Sequence, residues 1–201
     1  MLNPKISNFL PRDGEAFYFG KIFSEDQAAT HFENLLEKVN WQHDEVMIFG
    51  KKIVTNRKTA WYGKEEYEYT YSKMTKKASL WIPELLPLKE KAEEVTGMEF
   101  NSCLLNLYQS GEEGMGWHSD AEAELGKHPA IASVSLGAQR KFVLKHKASA
   151  EKIEIQLEPG SLLLMAGETQ QHWLHSLPKT KRVKEPRINL TFRNIKKWKS
   201  R

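Results

Sequence analysis

The chain of 201 residues is long enough to bury one sizeable core, and its 28% charged and 40% apolar residues exclude a disordered polyelectrolyte. Thirty Lys and Arg against 26 Asp and Glu leave a net charge of +4, which permits a polyanionic partner without demanding one. The single cysteine, Cys103, excludes an internal disulfide and suits a reducing compartment such as the cytosol.

Met1 to Leu10 lacks the charged-then-apolar layout of a secretory leader. The longest apolar run, Leu162 to Ala166, is too short to span a bilayer, so no membrane partner is expected. Phe17, Tyr18 and Phe19 suggest a short strand over the core. Ser24 with Gln27 three residues on forms a capping box, and Phe32, Leu35, Leu36 and Val39 follow at helical spacing, which predicts a helix over 25–39. Residues 45–71 read as extended and aromatic, with Lys51, Lys52, Arg57 and Lys58 between the rings. Rings that stack on bases beside cations that meet phosphates would suit a nucleic-acid surface. A hairpin with inward rings and solvated lysines accounts for the same pattern.

A second helix is predicted within 81–97, with Leu85, Leu88, Ala92 and Val95 as its stripe, Pro83 in its first turn and Gly97 at its end. The rest reads as short strands: 102–108, 131–136, 140–145, 152–157, 161–165, 173–176 and 187–192, with Glu158-Pro159-Gly160 as a tight turn between two of them. That pattern argues a sandwich or barrel. No repeat, low-complexity stretch or linker divides the chain, so one domain over 1–201 is expected; the basic tail Lys196 to Lys199 reads as a solvated end.

The residues that carry chemistry centre on His118-Ser119-Asp120. Side chains two apart on an extended backbone point to the same side, so this histidine and carboxylate converge. His175, in Trp173-Leu174-His175-Ser176, offers a third ligand. Two histidines and one carboxylate on one face of a metal is the arrangement of non-haem Fe(II) oxygenases, and the same ligand types serve catalytic zinc. In Pro186 to Arg193, the alternation puts Arg187, Asn189, Thr191 and Arg193 on one face and Ile188, Leu190 and Phe192 on the other. If the polar face lines a barrel interior, buried arginines there call for an anionic partner such as a dicarboxylate. Asn106 and Tyr108, again two apart, would add neutral groups to that cavity.

Asn106-Leu107-Tyr108, His118-Ser119-Asp120, Ile131 to Gly137, His175-Ser176-Leu177-Pro178 and Arg187 to Arg193, in this order, resemble the AlkB family of Fe(II)- and 2-oxoglutarate-dependent dealkylases. The resemblance is closest to the DNA-repair branch that includes the human duplex-repair enzyme, runs from about Val46 to Ile195, and is most specific in the final octapeptide. It implies a mainly β fold with flanking helices (α+β), built on a double-stranded β-helix, or jelly-roll, core over about 100–195, with a nucleotide-recognition lid over about 45–75. By residue-for-residue match it implies His118, Asp120 and His175 as iron ligands, His175 being preferred to His172 because it directly precedes Ser-Leu-Pro. It implies Asn106, Tyr108, Arg187, Thr191 and Arg193 as the 2-oxoglutarate site. It further implies Phe49, Gly50 and Lys51 as a hairpin tip, Tyr69, Thr70 and Tyr71 as a base-holding strand, and Glu122 as an acid that meets the base. Ala121 departs from the family's duplex-repair enzyme, which has an aspartate there.

The implied activity is oxidative demethylation of N-alkylated bases such as 1-methyladenine and 3-methylcytosine, with Fe(II), 2-oxoglutarate and O2 consumed or employed and formaldehyde, succinate and CO2 released. The implied partner is alkylated DNA, with RNA as an alternative polymer, and a duplex lesion would have to leave the stack. No obligate protein partner is expected, and a monomer is. The location would be cytoplasmic in a bacterium and nuclear in a eukaryote. Competing readings are a same-fold oxygenase acting on protein or lipid, a non-catalytic nucleic-acid-binding module, and a zinc hydrolase, which would have no use for the paired arginines.

Overall fold

The computed structural model describes residues 6–48, 51–71 and 74–196; the side chains of 44–53 and 69–76 fall outside that description. In chain order its elements begin with β1 (Glu15–Lys21), α1 (Glu25–Lys38), β2 (Gln42–Ile48), β3 (Lys51–Gly63), β4 (Glu68–Tyr71), β5 (Met74–Lys77), β6 (Ser79–Leu80) and α2 (Leu86–Thr96). There follow β7 (Ser102–Tyr108), β8 (Met115–His118), β9 (Ile131–Gly137), β10 (Arg140–His146), β11 (Lys152–Leu157), β12 (Ser161–Ala166), the short α3 (Thr169–His172), β13 (Trp173–Leu177) and β14 (Arg187–Arg193). Among the described residues no helix is long and apolar enough to cross a membrane.

Two antiparallel sheets face each other, as the jelly-roll expectation required. The larger runs β1-β12-β9-β14-β7-β3-β2, with the two-residue β6 attached in parallel to β3; the smaller runs β11-β10-β13-β8. Alternation along the central strands decides which residues face where. Cys103, Leu105 and Leu107 on β7, Ala132, Val134 and Leu136 on β9, and Ile188, Leu190 and Phe192 on β14 join one apolar cluster with both helices. The opposite face of the same strands is turned to the smaller sheet, and a second apolar cluster gathers around Leu144, Leu163, Met165 and Trp173, with Met165 on the cavity wall. Each fully buried Leu or Ile contributes on the order of 2 kcal/mol.

The first helix starts as its residues dictate. Ser24 Oγ accepts the Gln27 backbone N–H and the Gln27 side chain accepts the Ser24 N–H, which satisfies two otherwise orphaned donors. Ala28, Leu35 and Val39 are buried, whereas Leu36 is 43% exposed. The predicted stripe was one residue too wide: the 28, 32, 35, 39 line follows the helical period, and Leu36 lies about 100° away from Leu35. The second helix is preceded by a 3₁₀ turn at Pro83–Leu85, so Pro87 rather than Pro83 stands in its first turn, and it ends at Gly97 in the left-handed conformation. Gly160 sits at φ +76° in the Glu158-Pro159-Gly160 turn, which closes through Ser161 N–H to Glu158 O at 3.1 Å.

Gly137 ends β9 at φ +77°, and a Cβ there would lie 2.5 Å from the Pro186 carbonyl oxygen. The neighbouring Ala138 N–H donates to that same oxygen at 2.8 Å, so the carbonyl cannot retreat without losing a bond. Gly137→Ala is therefore expected to lower stability by at least ~2 kcal/mol in urea unfolding. A change within about 0.5 kcal/mol would contradict this packing.

In the 45–75 stretch, β2 and β3 pair with Ile48 opposite Lys51, and β4 and β5 form their own two-stranded sheet with Tyr69 opposite Lys76 and Tyr71 opposite Met74. Tyr62 packs into the core and its hydroxyl accepts the Asn40 N–H at 3.1 Å, so one ring of this aromatic stretch is structural.

Candidate active site

The space between the sheets is a cavity of about 210 Å³. The smaller sheet and the chain beyond it line one side with His118, Asp120, Phe142 and His175; the larger sheet lines the other with Asn106, Tyr108, Arg187, Asn189, Thr191 and Arg193. Antiparallel register does much of this positioning, because β13 lies against β8 with His175 directly opposite His118. Their rings meet edge-on at 4.2 Å between centroids. Phe142 stacks on His175 with ring centroids 5.4 Å apart.

Asp120 arrives differently from the expected extended tripeptide. The strand ends at His118, and Asp120 lies beyond it in irregular backbone. Its place is held by Gln170 of α3, whose side-chain oxygen accepts the Asp120 backbone N–H at 2.8 Å. One ligand-type atom from each of His118, Asp120 and His175 then falls within 4.8 Å of the others. The His118 Nδ1 lies 2.8 Å from the Gly116 carbonyl oxygen, which can only accept, so this nitrogen carries the proton and Nε2 keeps its lone pair.

Burial pushes the His175 imidazolium down to about 4, only partly opposed by the nearby Asp120 charge, so this ring is neutral at physiological pH and ready to ligate. Burial also works against the Asp120 carboxylate, but Arg193, His175 and His118 together outweigh it and hold the group below its ordinary range. The unfolded His175 binds a proton near its ordinary value of 6.5 and the folded one only near 4, so stability is lost as pH falls through that window. In chelator, the metal-free protein is expected to lose on the order of 3 kcal/mol between pH 6.5 and 4 from this residue alone. A melting temperature that is flat across the window, or unaltered in slope by His175→Gln, would contradict the assignment.

The two arginines of β14 differ in circumstance. Arg193 is paired, its Nη2 lying 3.0 Å from Asp120 Oδ2 and its Nη1 3.3 Å from Glu122 Oε1. Desolvation lowers its basicity, but these carboxylates raise it by more. Arg187, 2% exposed, donates only to Ser135 Oγ at 2.9 Å and Asn189 Oδ1 at 2.6 Å, and among the described residues no carboxylate pairs with it. Burial lowers its basicity to about 10. Its Nε is buried without a hydrogen-bond partner, as are Arg193 Nε and Glu122 Oε2. A cation held in a cavity with a spare donor and no counter-charge is a site made for an anion.

Some residues around the site were not singled out from the sequence. Arg140, 2% exposed, donates to four backbone carbonyls, of Ser110 at 3.2 Å, Gly111 at 3.3 Å, Glu113 at 2.8 Å and Pro178 at 2.9 Å. It thereby ties the loop entering β8 to the chain leaving β13. Its guanidinium lies 6.0 Å from the centroid of the Tyr108 ring and that of Arg187 5.6 Å, which fixes that ring among the cations. Ser133 donates to Asn189 Oδ1 at 3.0 Å, and the Asn189 amide donates to Thr191 Oγ1 at 3.0 Å, so the polar face of β14 is one connected network. Asn189 belonged to that face by alternation; Gln170 and Arg140 reach the site through contacts that no local pattern announces.

Of the implied nucleotide-contact residues, Glu122 is on the cavity wall. Phe49 and Gly50 lie outside the described residues; Lys51, Tyr69, Thr70 and Tyr71 are placed in β3 and β4 by their backbone alone, their side chains lying outside the description. The half-buried Arg57 of β3 lies with Nη1 2.9 Å from Sδ of Met115, a residue of the cavity wall. His172 is not part of the triad.

A facial set of two histidines and a carboxylate beside an unpaired buried guanidinium, inside a jelly roll, defines a site for a metal and an organic dianion together. The chain belongs to the 2OG-Fe(II) oxygenase superfamily, which it matches over residues 15–193. The match starts at β1, some thirty residues before the Val46 boundary expected from the motifs, because the edge strand and first helix carry no motif of their own. The chain is 42% identical over 179 residues to a bovine protein named alpha-ketoglutarate-dependent dioxygenase alkB homolog 3, covering 84% of this chain and 62% of that protein. It is 42% identical over 184 residues to mouse DNA oxidative demethylase ALKBH2 (87% of this chain, 74% of that protein) and 40% identical over 185 residues to the human protein of that name (87% and 71%). The solved structure of OsALKBH1 shares the fold, with a TM-score of 0.64 over 93% of this chain and 99% of that one at 15% identity.

The family's cofactors are Fe(II) and 2-oxoglutarate, and the donor set fits both. Two imidazoles and a carboxylate suit a divalent first-row ion, and Arg187 would supply a positive charge for a keto diacid.

Proposed function

We propose that this protein is an oxidative demethylase of N-alkylated nucleobases in DNA, in which His118, Asp120 and His175 hold Fe(II) and Arg187, with Asn106, Tyr108, Thr191 and Arg193, holds 2-oxoglutarate. The observation that carries the reading is the unpaired Arg187 facing the triad across one cavity. The relatives named DNA oxidative demethylase ALKBH2 support DNA as the polymer.

Bound together, Fe(II) and 2-oxoglutarate supply the oxidising chemistry: O2 is consumed, the keto acid becomes succinate and CO2, and an N-methyl group gains a hydroxyl. The hydroxymethyl product then loses formaldehyde, its hydroxyl proton passing to water and the N–CH2 bonding pair returning to the ring nitrogen as the lone pair of the restored base. The chain's own part is positioning and exclusion. Gln170 fixes Asp120, Gly116 O fixes the His118 tautomer, and Phe142 limits how His175 can turn. Glu122, whose buried Oε2 has no partner, accepts from an exocyclic amino group of the base. Arg193 joins that acid to Asp120, so the base pocket and the metal share one guanidinium. The β2–β3 hairpin and the β4–β5 ribbon form the lid over this cavity, Arg57 beside Met115 meets phosphate, and Phe49 fills the gap left by a flipped base.

The reading is tested with oligonucleotides carrying 1-methyladenine or 3-methylcytosine, as single strands, duplexes and RNA, at one fixed salt concentration. Formaldehyde and restored base are expected in equal amounts, dependent on Fe(II) and 2-oxoglutarate. Turnover of 2-oxoglutarate with every methylated strand left intact would transfer the enzyme to another substrate class.

A further inference from the structure

Outside the cavity, the described residues contain one more group with metal-ligating geometry. Asp13, in the turn before β1, His146, at the end of β10, and His172, at the end of α3, each bring one ligand-type atom within 4.8 Å of the others. We propose that these three residues form a second metal site, for a divalent transition ion of the zinc class, that ties the N-terminal segment to the sheet carrying the catalytic triad. The inference does not depend on the substrate.

Each ligand is set there by its own element. Asp13 adopts φ +49°, in the left-handed region that few residues besides glycine enter and that aspartate tolerates. The backbone beside it is held by the Trp173 indole, whose Nε1–H donates to Arg12 O at 3.2 Å. His146 is buried, pairs across the sheet with Trp173, and meets that indole edge-on at 5.0 Å. The His146 and His172 rings lie nearly parallel, 14° apart with centroids separated by 6.4 Å. Glu168, whose Oε2 is 3.8 Å from His172 Nε2, is within reach of a fourth position.

The protonation pattern suits exchange of a proton for an ion. His146 Nε2 lies 3.1 Å from Asp13 Oδ2, and Nδ1 lies 3.0 Å from Ser149 Oγ and 3.1 Å from the Ser149 backbone N. Without metal, Nδ1 accepts the Ser149 N–H and Nε2–H donates to Asp13. With metal, the Nε2 lone pair faces the ion and Nδ1–H donates to the Ser149 hydroxyl, the usual outer contact of a ligating histidine, while the Ser149 N–H gives up its bond to Nδ1. Zinc bonds of about 2.0–2.1 Å place tetrahedral ligand atoms about 3.3 Å apart, so binding draws the half-exposed His172 inward. That motion bears on α3, whose Gln170 holds the Asp120 backbone and whose end leads in three residues to His175. An ion here therefore braces the element that positions two of the three catalytic ligands.

The test is zinc stoichiometry on the full chain by equilibrium dialysis and elemental analysis. Wild type is expected to hold two ions, His118→Ala one, His172→Gln one, and the double variant none; Asp13→Asn, also at an exposed position, repeats the His172→Gln result. Zinc is expected to raise the melting temperature of His118→Ala and to leave that of His118→Ala/His172→Gln unmoved. If His172→Gln and Asp13→Asn keep the full wild-type complement, or His118→Ala binds none, the second site does not exist. A single wild-type ion, retained in His118→Ala and lost in His172→Gln, would support this site while removing the triad.

Discussion

Arg193→Met is expected to cost on the order of 3 kcal/mol of stability at neutral pH and to abolish turnover. The guanidinium bridges Asp120 at 3.0 Å and Glu122 at 3.3 Å, and both it and Asp120 are nearly sequestered from water. Removing one member of a buried ion pair leaves the other as an uncompensated charge, which is more damaging than never having had the pair. The deficit should depend on pH in a definite direction. In the wild type Asp120 titrates below its ordinary range, so acid weakens the protein; without Arg193, only His175 and His118 oppose burial, the folded carboxyl titrates higher than in the wild type, and acid costs the variant less. Urea unfolding at pH 4 and pH 8 checks this: the gap between wild type and variant should narrow in acid. A divalent ion should also stabilise the variant more than the wild type, because it replaces the missing positive charge beside Asp120. An equal gap at both pH values would show that Arg193 acts only through packing.

Arg187→Met is expected to separate stability from function in the opposite sense. This guanidinium, at 2% exposure, has hydroxyl and amide partners and no carboxylate among the described residues, so the fold holds it at a desolvation cost. Replacing a buried, poorly compensated cation by an apolar side chain of similar length is neutral or stabilising in such settings. The 2-oxoglutarate requirement should rise on the order of a hundredfold, since a buried charge-assisted contact is lost. Unfolding in chelator together with succinate release against 2-oxoglutarate concentration reads both effects. A variant that is several kcal/mol less stable, or that uses 2-oxoglutarate like the wild type, would mean that Arg187 is structural.

That the two arginines behave differently could not be read from Arg187-Ile188-Asn189-Leu190-Thr191-Phe192-Arg193 by itself. Alternation assigned both to one face and their three apolar neighbours to the other, and the cavity lining and the larger apolar cluster bear that out. Which carboxylates meet which arginine depends on residues some 70 positions away, beyond any local period. The capping box at Ser24 and the turn at Glu158-Pro159-Gly160 were legible because they are local hydrogen-bond chemistry. Leu36 was misplaced because a helical stripe has soft edges when read without its packing partner. Preferring His175 to His172 rested on the Ser-Leu-Pro context; the geometry places His175 beside His118, and His172 with Asp13 and His146. Gln170 and Arg140 had no signal, since their bonds to Asp120 N–H and to four distant carbonyls are products of the closed fold.

The central claim is that one cavity binds iron and 2-oxoglutarate as neighbours, each needed for the other. It is tested most directly by anaerobic calorimetric titration of 2-oxoglutarate into the protein with and without Fe(II), in wild type, Asp120→Ala and Arg187→Met. Tight binding is expected only in the iron-loaded wild type, with weakening on the order of a hundredfold when iron, Asp120 or Arg187 is withdrawn. Equal affinity in all of these samples would place the keto acid elsewhere and contradict the account.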